Sequence, residues 1–280
     1  MTLPIQPWSK DKLDLLGKYL HAYTRIMRQQ TWLRGCSYVD AFAGGGQFID
    51  QDTSDYVDGS PLVALACEPA FDDYSFIERS PAKVSQLEQH AEPFRTKRQI
   101  NIMRDDANTV LVRDVASTVR RQYYRRGFVF VDPYGLQVKW DTIKALAETR
   151  ALDVFINFPI MAITRVLPRE STPNTLMPAS LGEMFLDPGW ISGLYSIQES
   201  LFGDPVAQRP RLDAHRLAEH YVQDLKQLFP HVSRPVIMKN STSTPLYGLV
   251  LASHNETAVK VTNDIFRLYD ELKRDAADSS

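Results

Sequence analysis

The fold is decided by residues 36–46, which read CSYVDAFAGGG. The first half of this stretch is short and apolar, as expected of a buried strand, and the second half ends in three consecutive glycines. A glycine-rich turn directly after a strand lets the backbone approach a ligand closely, because no Cβ stands in the way. The stretch therefore predicts a strand whose carboxyl end opens into a ligand-binding turn.

Around this turn, strand-like and helix-like segments alternate along the chain. The predicted strands cover residues 36–41, 74–77, 100–103, 128–131 and 154–156, and the predicted helices cover 9–30, 60–67, 80–91, 108–124, 141–149, 213–228 and 256–272. Such alternation is typical of a parallel sheet covered by helices on both faces. Residues 236–239 and 247–252 predict two further strands that form an antiparallel hairpin. We therefore predict an α/β fold with a seven-stranded, mostly parallel sheet.

Two segments depart from this alternation. Residues 47–58 are polar and acidic and are expected to form a loop. Residues 160–212 hold many prolines and glycines with scattered methionines and leucines, which indicates an insertion with short helices. We expect a single domain over residues 1–280. Within it, residues 1–35 form an N-terminal helical extension, and residues 160–212 form a lid or a partner-docking segment.

Composition excludes several classes of protein. The 280 residues are 44% hydrophobic and 24% charged with a net charge of −2, which argues against wholesale disorder and against a uniformly basic nucleic-acid binder. No apolar run reaches the roughly 18 residues of a membrane helix, so no membrane contact is expected. Two cysteines make neither a disulfide framework nor a zinc site, and His215 and His220 are not spaced as metal ligands on a helix. We expect a cytoplasmic protein without a bound metal.

Acidic residues lie at or just after the ends of four of the predicted strands: Asp40, Glu78, Asp105, Asp106 and Asp132. In an open parallel sheet, ligands bind outside the carboxyl ends of the strands. Glu78 is placed to accept hydrogen bonds from both hydroxyls of a ribose. One of Asp105 and Asp106 is placed to accept from an adenine amino group, while Asp106 or Asn108 caps the following helix.

Two cofactors compete for the glycine turn. A dinucleotide site needs G-x-G-x-x-G opening directly into a helix, and here Ile49 stands where the third glycine would fall. A site for S-adenosylmethionine (SAM) needs an acid at the end of the first strand and glycines beneath the amino-acid part of SAM. Asp40, Gly44 and Gly46 supply both, so the turn favours SAM. A purely structural glycine turn is the remaining alternative.

The fourth strand is followed by Asp132-Pro133-Tyr134-Gly135. This sequence suits methylation of an amine on a planar base. The Asp132 carboxylate and the Pro133 carbonyl can accept hydrogen bonds from the amine, and the ring of Tyr134 can stack on the base. The alternative is a Pro-Gly turn that only leads into the next helix.

These motifs resemble those of the amino-methyltransferases of nucleic acids, which usually carry Asp-Pro-Pro-Tyr. The single proline of Asp132-Pro133-Tyr134-Gly135 is more similar to the tRNA guanine dimethyltransferases. Taken together, the chain most resembles the three-Cys-motif partner family over roughly residues 8–270. The segments that carry this resemblance are residues 38–44, 59–61, 76–78, 132–135, 153–165 and 245–247.

The resemblance implies a Rossmann-like, class I SAM-dependent methyltransferase. It implies that SAM is held by Asp40, Phe42, Gly44, Gly46, Glu78, Asp105 and Asp106. It implies that the acceptor amine meets Asp132, Pro133 and Tyr134. It also implies a separate three-Cys-motif protein as partner, and the alternative function is a regulator of that partner that does not turn over SAM.

Four arginines flank two tyrosines near the end of the helix predicted over 108–124: Arg120, Arg121, Arg125 and Arg126. Such a cluster can neutralise phosphates, which predicts contact with nucleic acid. The alternative is a solvated face at a helix end, where cations are favoured by the helix dipole.

Overall fold

The computed structural model describes residues 4–50, 53–167, 170–171, 179–187, 189, 196–198, 206–208 and 213–278. Within them, a central sheet is built from β1 Gly35–Asp40, β2 Asp73–Ile77, β3 Gln99–Met103, β4 Arg125–Val131, β5 Leu152–Phe158, β6 His231–Val232, β7 Val236–Lys239 and β8 Pro245–Ser253. The strand order is β6-β8-β5-β4-β1-β2-β3, and β7 also pairs with β8.

Strands β1 to β5 run parallel to their neighbours. Strand β8 runs antiparallel to β5, and β7 and β6 run antiparallel to β8. The predicted fold class is therefore confirmed as an α/β fold with a mostly parallel central sheet that ends in an antiparallel hairpin. The short strand β6 adds an eighth strand to the seven that the sequence predicts.

Helices cover both faces of the sheet, with the bounds Pro7–Arg28, Ser60–Ala66, Pro81–Ala91, Trp140–Glu148, Ile160–Val166, Ala179–Gly182, Ala214–Leu225 and Glu256–Asp278. Side chains along β4 alternate between the two faces, as the pleat requires. Phe128 and Phe130 join one buried cluster, and Val129 and Val131 join the other. Burial on both faces explains why the strands are continuous apolar runs in the sequence.

The helix predicted over 108–124 is shorter and irregular. It consists of α-helical Ala107–Val110, a π-helical turn at Leu111–Val115 and α-helical Ala116–Thr118. A 3₁₀ turn at Arg121–Tyr123 follows, and Tyr124 adopts a left-handed conformation with φ 57°. The prediction of one helix to residue 124 is wrong, because the chain must reverse there to enter β4 at Arg125.

The prediction of a loop over residues 47–58 is also wrong. Strands Gln47–Asp50 and Tyr56–Asp58 pair antiparallel, and strand Pro4–Ile5 pairs parallel with Gln47–Asp50. These strands are only partly buried, so the segment lacks the apolar alternation that marks a strand in a sequence. Lys10 forms an ion pair with Asp50, which ties the first helix to this small sheet.

Part of the segment 160–212 packs onto the domain. Leu181, Met184 and Phe185 are buried, and the Phe185 ring lies 5.9 Å from the Tyr221 ring in an edge-on arrangement. Short strands Glu170–Ser171, Ser196–Gln198 and Val206–Gln208 form an antiparallel sheet. Residues 168–169, 172–178, 188, 190–195, 199–205 and 209–212 lie outside the described part of the chain. In the described ranges, no helix has the length and apolarity needed to cross a bilayer.

Candidate functional site

The site lies at the edge of the sheet where the parallel strands end. The glycine turn follows β1, and two of its glycines adopt left-handed conformations, with φ +66° at Gly44 and +89° at Gly46. A Cβ added at Gly44 would meet no described atom within 4 Å, whereas one at Gly46 would lie 3.2 Å from both Leu87 and His90. Gly44 therefore faces open space, and Gly46 allows the turn to pack against the helix Pro81–Ala91.

Glu78 links this turn to the loop after β2. One of its carboxylate oxygens accepts from the Gly44 backbone N–H at 3.1 Å, and the other accepts from the Ser80 N–H at 2.7 Å. A carboxylate offers about four acceptor positions, so two remain for a ligand. Glu78 is half-buried, which leaves those positions within reach of the open space above Gly44.

Asp40 lies beneath the glycine turn and is fully buried, with 0% of its surface exposed. Its carboxylate accepts from the Phe42 N–H at 3.2 Å and from the Tyr38 hydroxyl at 3.3 Å. Burial raises the pKa of Asp40 to about 7; the negative charge of Asp132 raises it further, while hydrogen bonds from Ser60, Phe42 and Tyr38 act in the opposite direction. In this arrangement Asp40 shapes the turn and does not face the open space. Phe42 is half-buried and packs against the core.

After β3, the two neighbouring acids have different surroundings. Asp106 caps the next helix by accepting from the Thr109 N–H at 3.1 Å. Asp105 accepts from the Asp106 N–H at 2.7 Å and forms an ion pair with Arg113 at 3.2 Å. Both acids line an open cleft together with Arg79 and Arg104. The sequence allows either Asp106 or Asn108 as the cap of this helix, and in the structure the cap is Asp106.

Asp132 follows β4 and is held by two side chains from distant parts of the chain. Its two carboxylate oxygens accept hydrogen bonds from the Lys12 ammonium and from the Asn157 amide. The ammonium also lies 5.2 Å from the centroid of the Tyr247 ring, and the Tyr247 hydroxyl donates to the Trp8 carbonyl at 2.9 Å. The sequence gives no local indication that Lys12 belongs to this site. Asn157 could have been predicted, since it is a polar residue directly after a predicted strand.

Tyr134 projects into solvent, with 99% of its surface exposed, whereas Pro133 is buried. The Tyr134 N–H donates to the Gln137 side chain at 3.0 Å. Asn108 anchors the same loop: its amide nitrogen donates to the Gln137 carbonyl at 2.9 Å, and its amide oxygen accepts from the Lys139 N–H at 3.0 Å. The Tyr134 ring is therefore presented to solvent by a loop that is fixed at its base.

The four arginines expected to contact phosphates lie at the opposite edge of the sheet. Arg125 begins β4 and donates to Ser37 at 2.8 Å and to Asp73 at 2.5 Å. Arg126 lies 4.6 Å over the Trp32 ring, whereas Arg120 and Arg121 are exposed. Because β4 spans seven residues, this edge is about 20 Å from Asp132. The exposed side chains at this edge also include Trp32, Tyr123 and Tyr124.

No protein-family model and no curated protein matches this sequence. Three solved structures resemble it at 10% identity. They are a protein of Legionella pneumophila (TM-score 0.49, 89% of each chain covered), an rRNA methylase from Streptococcus thermophilus (TM-score 0.40, 87% of this chain and 95% of that chain) and a SAM-dependent methyltransferase from Agrobacterium tumefaciens (TM-score 0.44, 90% and 64%). Likenesses of this size do not indicate what this chain binds or catalyses. Among the described residues, no group of three or more His, Cys, Asp and Glu could hold a metal. The function must therefore be inferred from the geometry of the carboxyl edge of the sheet. There, Gly44, Glu78 and Asp132 follow three adjacent parallel strands.

Proposed function

We propose that the protein transfers a methyl group from SAM to an exocyclic amine of a nucleobase, either in nucleic acid or in a related small molecule. One observation carries the proposal. The open glycine turn at Gly44 is hydrogen-bonded to the half-buried Glu78. On the neighbouring strand, Asp132 is followed by the fully exposed Tyr134. The first pair suits a nucleoside-containing cofactor, and the second suits a flat acceptor.

The residues present fit SAM. The space over Gly44, which a Cβ would enter, can take the amino-acid part of the cofactor, and the two open acceptor positions of Glu78 suit ribose hydroxyls. Asp105 and Asp106 line the adjoining cleft, where one of them can accept from the adenine amino group. When bound, SAM supplies an electrophilic methyl group on a sulfonium.

The acceptor side supplies orientation and charge. Asp132 and the Pro133 carbonyl accept hydrogen bonds from the amine, which directs the nitrogen lone pair toward the methyl group. The Asp132 carboxylate would stabilise the positive charge that develops on the nitrogen during transfer, and the methylated amine would then release one proton to water. The reaction otherwise needs mainly alignment, which the Tyr134 ring provides by stacking on the base. A base in a duplex would have to be flipped out first.

We also propose that the arginine edge contacts nucleic acid. The exposure of Arg120 and Arg121 beside Trp32, Tyr123 and Tyr124 supports this, because arginines bind phosphates and aromatic rings stack on unpaired bases. Arg125 and Arg126 contribute less than the sequence suggested, since Asp73 and Trp32 already engage them. A nucleic acid that reaches both edges must follow the protein surface for about 20 Å.

The segment 160–212 is proposed to act as a lid or as the docking surface for a three-Cys-motif partner. Its Leu181, Met184 and Phe185 are packed into the core, so these three residues would not form part of a lid that opens. Limited proteolysis separates the two roles. A lid should lose its cleavage sites when cofactor and acceptor bind, and a docking surface should lose them only when the partner binds. Resistance of the free protein to cleavage would argue against both.

Two measurements test the proposed activity. Calorimetry should show binding of SAM and of S-adenosylhomocysteine and no binding of NAD. Purified protein should then transfer tritiated methyl groups from SAM to a random-sequence RNA or single-stranded DNA pool, or to free nucleosides, and nucleoside digestion should locate the label on an exocyclic nitrogen. Binding of NAD, or of neither cofactor, would overturn the proposal. SAM binding without transfer to any of these acceptors would favour the regulatory alternative.

A further inference from the structure

Lys12 is an unusual lysine. Only 9% of its surface is exposed, although lysines are rarely buried unless they form an ion pair. Its ammonium contacts the Asp132 carboxylate and lies over the Tyr247 ring. Removing two charges from water is costly, so a buried ion pair is weak evidence for a role in stability alone.

Asn157 is constrained in the same place. Because a carboxylate cannot donate, the Asn157 amide must turn its nitrogen toward Asp132. Its amide oxygen is then buried and has no hydrogen-bond partner within the described residues. An unsatisfied buried polar atom is destabilising and calls for an explanation. Neither neighbour of Asp132 is therefore explained by stability alone.

Asp132 keeps room for a further ligand while these two donors hold it. Its side chain is 22% exposed, and two of its roughly four acceptor positions are used. It also lies near enough to the buried Asp40 for its charge to add to the burial that raises the pKa of Asp40.

We propose that Lys12 is a positioning residue for methyl transfer: its ammonium, together with the Asn157 amide, holds the Asp132 carboxylate in the orientation that faces the acceptor amine. This inference rests on the proposed function and adds a residue that the family motifs do not contain. Lys12 acts through Asp132 and need not touch the substrate itself.

The first test compares three lysine variants in methyl transfer to whichever of the RNA, DNA and nucleoside probes the wild type modifies. Lys12→Met should lower kcat about 10²-fold, because a misplaced reactive group costs about that much. Lys12→Arg should keep kcat within about tenfold, since it restores the cation. Lys10→Met is the matched control, because it removes an ion pair to Asp50 from the same helical turn and should leave kcat unchanged. SAM affinity and melting temperature are measured for each variant.

The second test does not need an acceptor. Sinefungin is a SAM analogue in which an amine replaces the sulfonium methyl group, so its ammonium should lie within Coulombic range of a correctly placed Asp132. Wild type should bind sinefungin at least tenfold more tightly than S-adenosylhomocysteine. Asp132→Asn and Lys12→Met should both bring this ratio toward one, and Lys12→Arg should retain it.

The outcomes separate the inference from the proposed function. A ratio that stays constant or rises in Lys12→Met would overturn the role of Lys12, since the lysine would then be a bystander or a competitor for Asp132. An equal loss of kcat in Lys10→Met and Lys12→Met would also overturn it, because the effect would then belong to the helix as a whole. Failure of the wild type to bind either analogue would instead overturn the proposed function, and this inference with it.

Discussion

The glycine turn after β1 and the Asp132 loop after β4 hold their acids in different ways. In the turn, Asp40 and Glu78 accept from backbone N–H groups within a few residues of the ends of β1 and β2. In the loop, Asp132 accepts from side chains that lie 120 and 25 residues away in sequence. The first region needs only the neighbouring strands β1 and β2 to pair, whereas the second needs β4, β5 and the first helix to assemble. Binding of a cofactor and alignment of an acceptor should therefore respond to different mutations.

The largest expected effect comes from Asp132→Asn. Methyl transfer should fall about 10²–10⁴-fold, the range that a positioned acid or base contributes, because the carboxylate that receives the amine is lost. SAM affinity should change less than about twofold, since Glu78 and Gly44 lie in the other region. Radiometric assays and calorimetry measure the two quantities. Glu78→Gln is the reciprocal control and should weaken SAM binding first; if both variants lose both properties, the two regions do not act separately.

A nearly comparable effect is expected for SAM binding in Gly44→Val. The added side chain would enter the open space over the turn, so the SAM dissociation constant should rise about 100-fold or more, equivalent to about 3 kcal/mol. Any side chain at φ +66° is strained by roughly 1–2 kcal/mol, which would itself lower stability. Gly44→Ala carries the same strain with a smaller side chain and separates the two causes. If the alanine and valine variants bind SAM equally, the cofactor does not lie over Gly44.

The pH dependence of stability should reveal how the two regions interact. Burial raises the pKa of Asp40 from an ordinary 3.8 to about 7, so the folded state binds a proton that the unfolded state releases. The stabilisation is therefore complete below about pH 4 and is lost as the pH rises toward 7, with a change of a few kcal/mol. Burial also raises the pKa of Asp153 to about 6, which adds to the same trend.

Urea unfolding between pH 4.5 and 8 measures this change, and two variants assign it. Asp40→Asn should flatten the part of the profile that extends to pH 7. Asp132→Asn should move that part to lower pH, because the Asp132 charge contributes to the raised pKa of Asp40. A profile that is the same in wild type and Asp40→Asn would show that Asp40 is ionised and solvated, contrary to its burial.

The smallest effect is expected from Tyr134→Ala. Loss of stacking should weaken binding of a base-containing acceptor by about 1–3 kcal/mol, whereas Tyr134→Phe should bind like the wild type. The free energy of unfolding should change by less than about 0.5 kcal/mol, because the side chain is 99% exposed. Acceptor titrations and urea unfolding give the two values. Unchanged acceptor affinity in the alanine variant would remove Tyr134 from the site.

The same contrast decides how much the sequence could predict. The parallel part of the sheet follows from the alternation of strand-like and helix-like segments, and the role of the strand-end acids follows from the rule that ligands bind at the carboxyl edge. The prediction that Asp106 or Asn108 caps the next helix also rests on local chemistry, and the structure assigns the cap to Asp106. Lys12 was invisible because it is one of several lysines on an amphipathic helix, and only the tertiary fold brings it to Asp132.

Surface and edge features were also poorly predicted. The hairpin formed by Gln47–Asp50 and Tyr56–Asp58 is held by backbone pairing with little burial, so its sequence looks like a loop. Arg125 forms an ion pair with Asp73 of β2 and is therefore less available to a phosphate. The run of arginines in the sequence does not indicate that partner.

The contact between Lys12 and Asp132 has a consequence for how the molecule is made. At 5–20 residues per second, translation delivers Asp132 about 6–24 s after Lys12, since the two are 120 residues apart. The Tyr247 hydroxyl that fixes the helix start at Trp8 arrives later still, across a separation of 239 residues. Contacts of such long range close late, because much of the chain must first be ordered. The contacts that hold Asp132 can therefore form only after residue 157 has been synthesised, whereas the Glu78–Gly44 contact needs the chain only as far as residue 78.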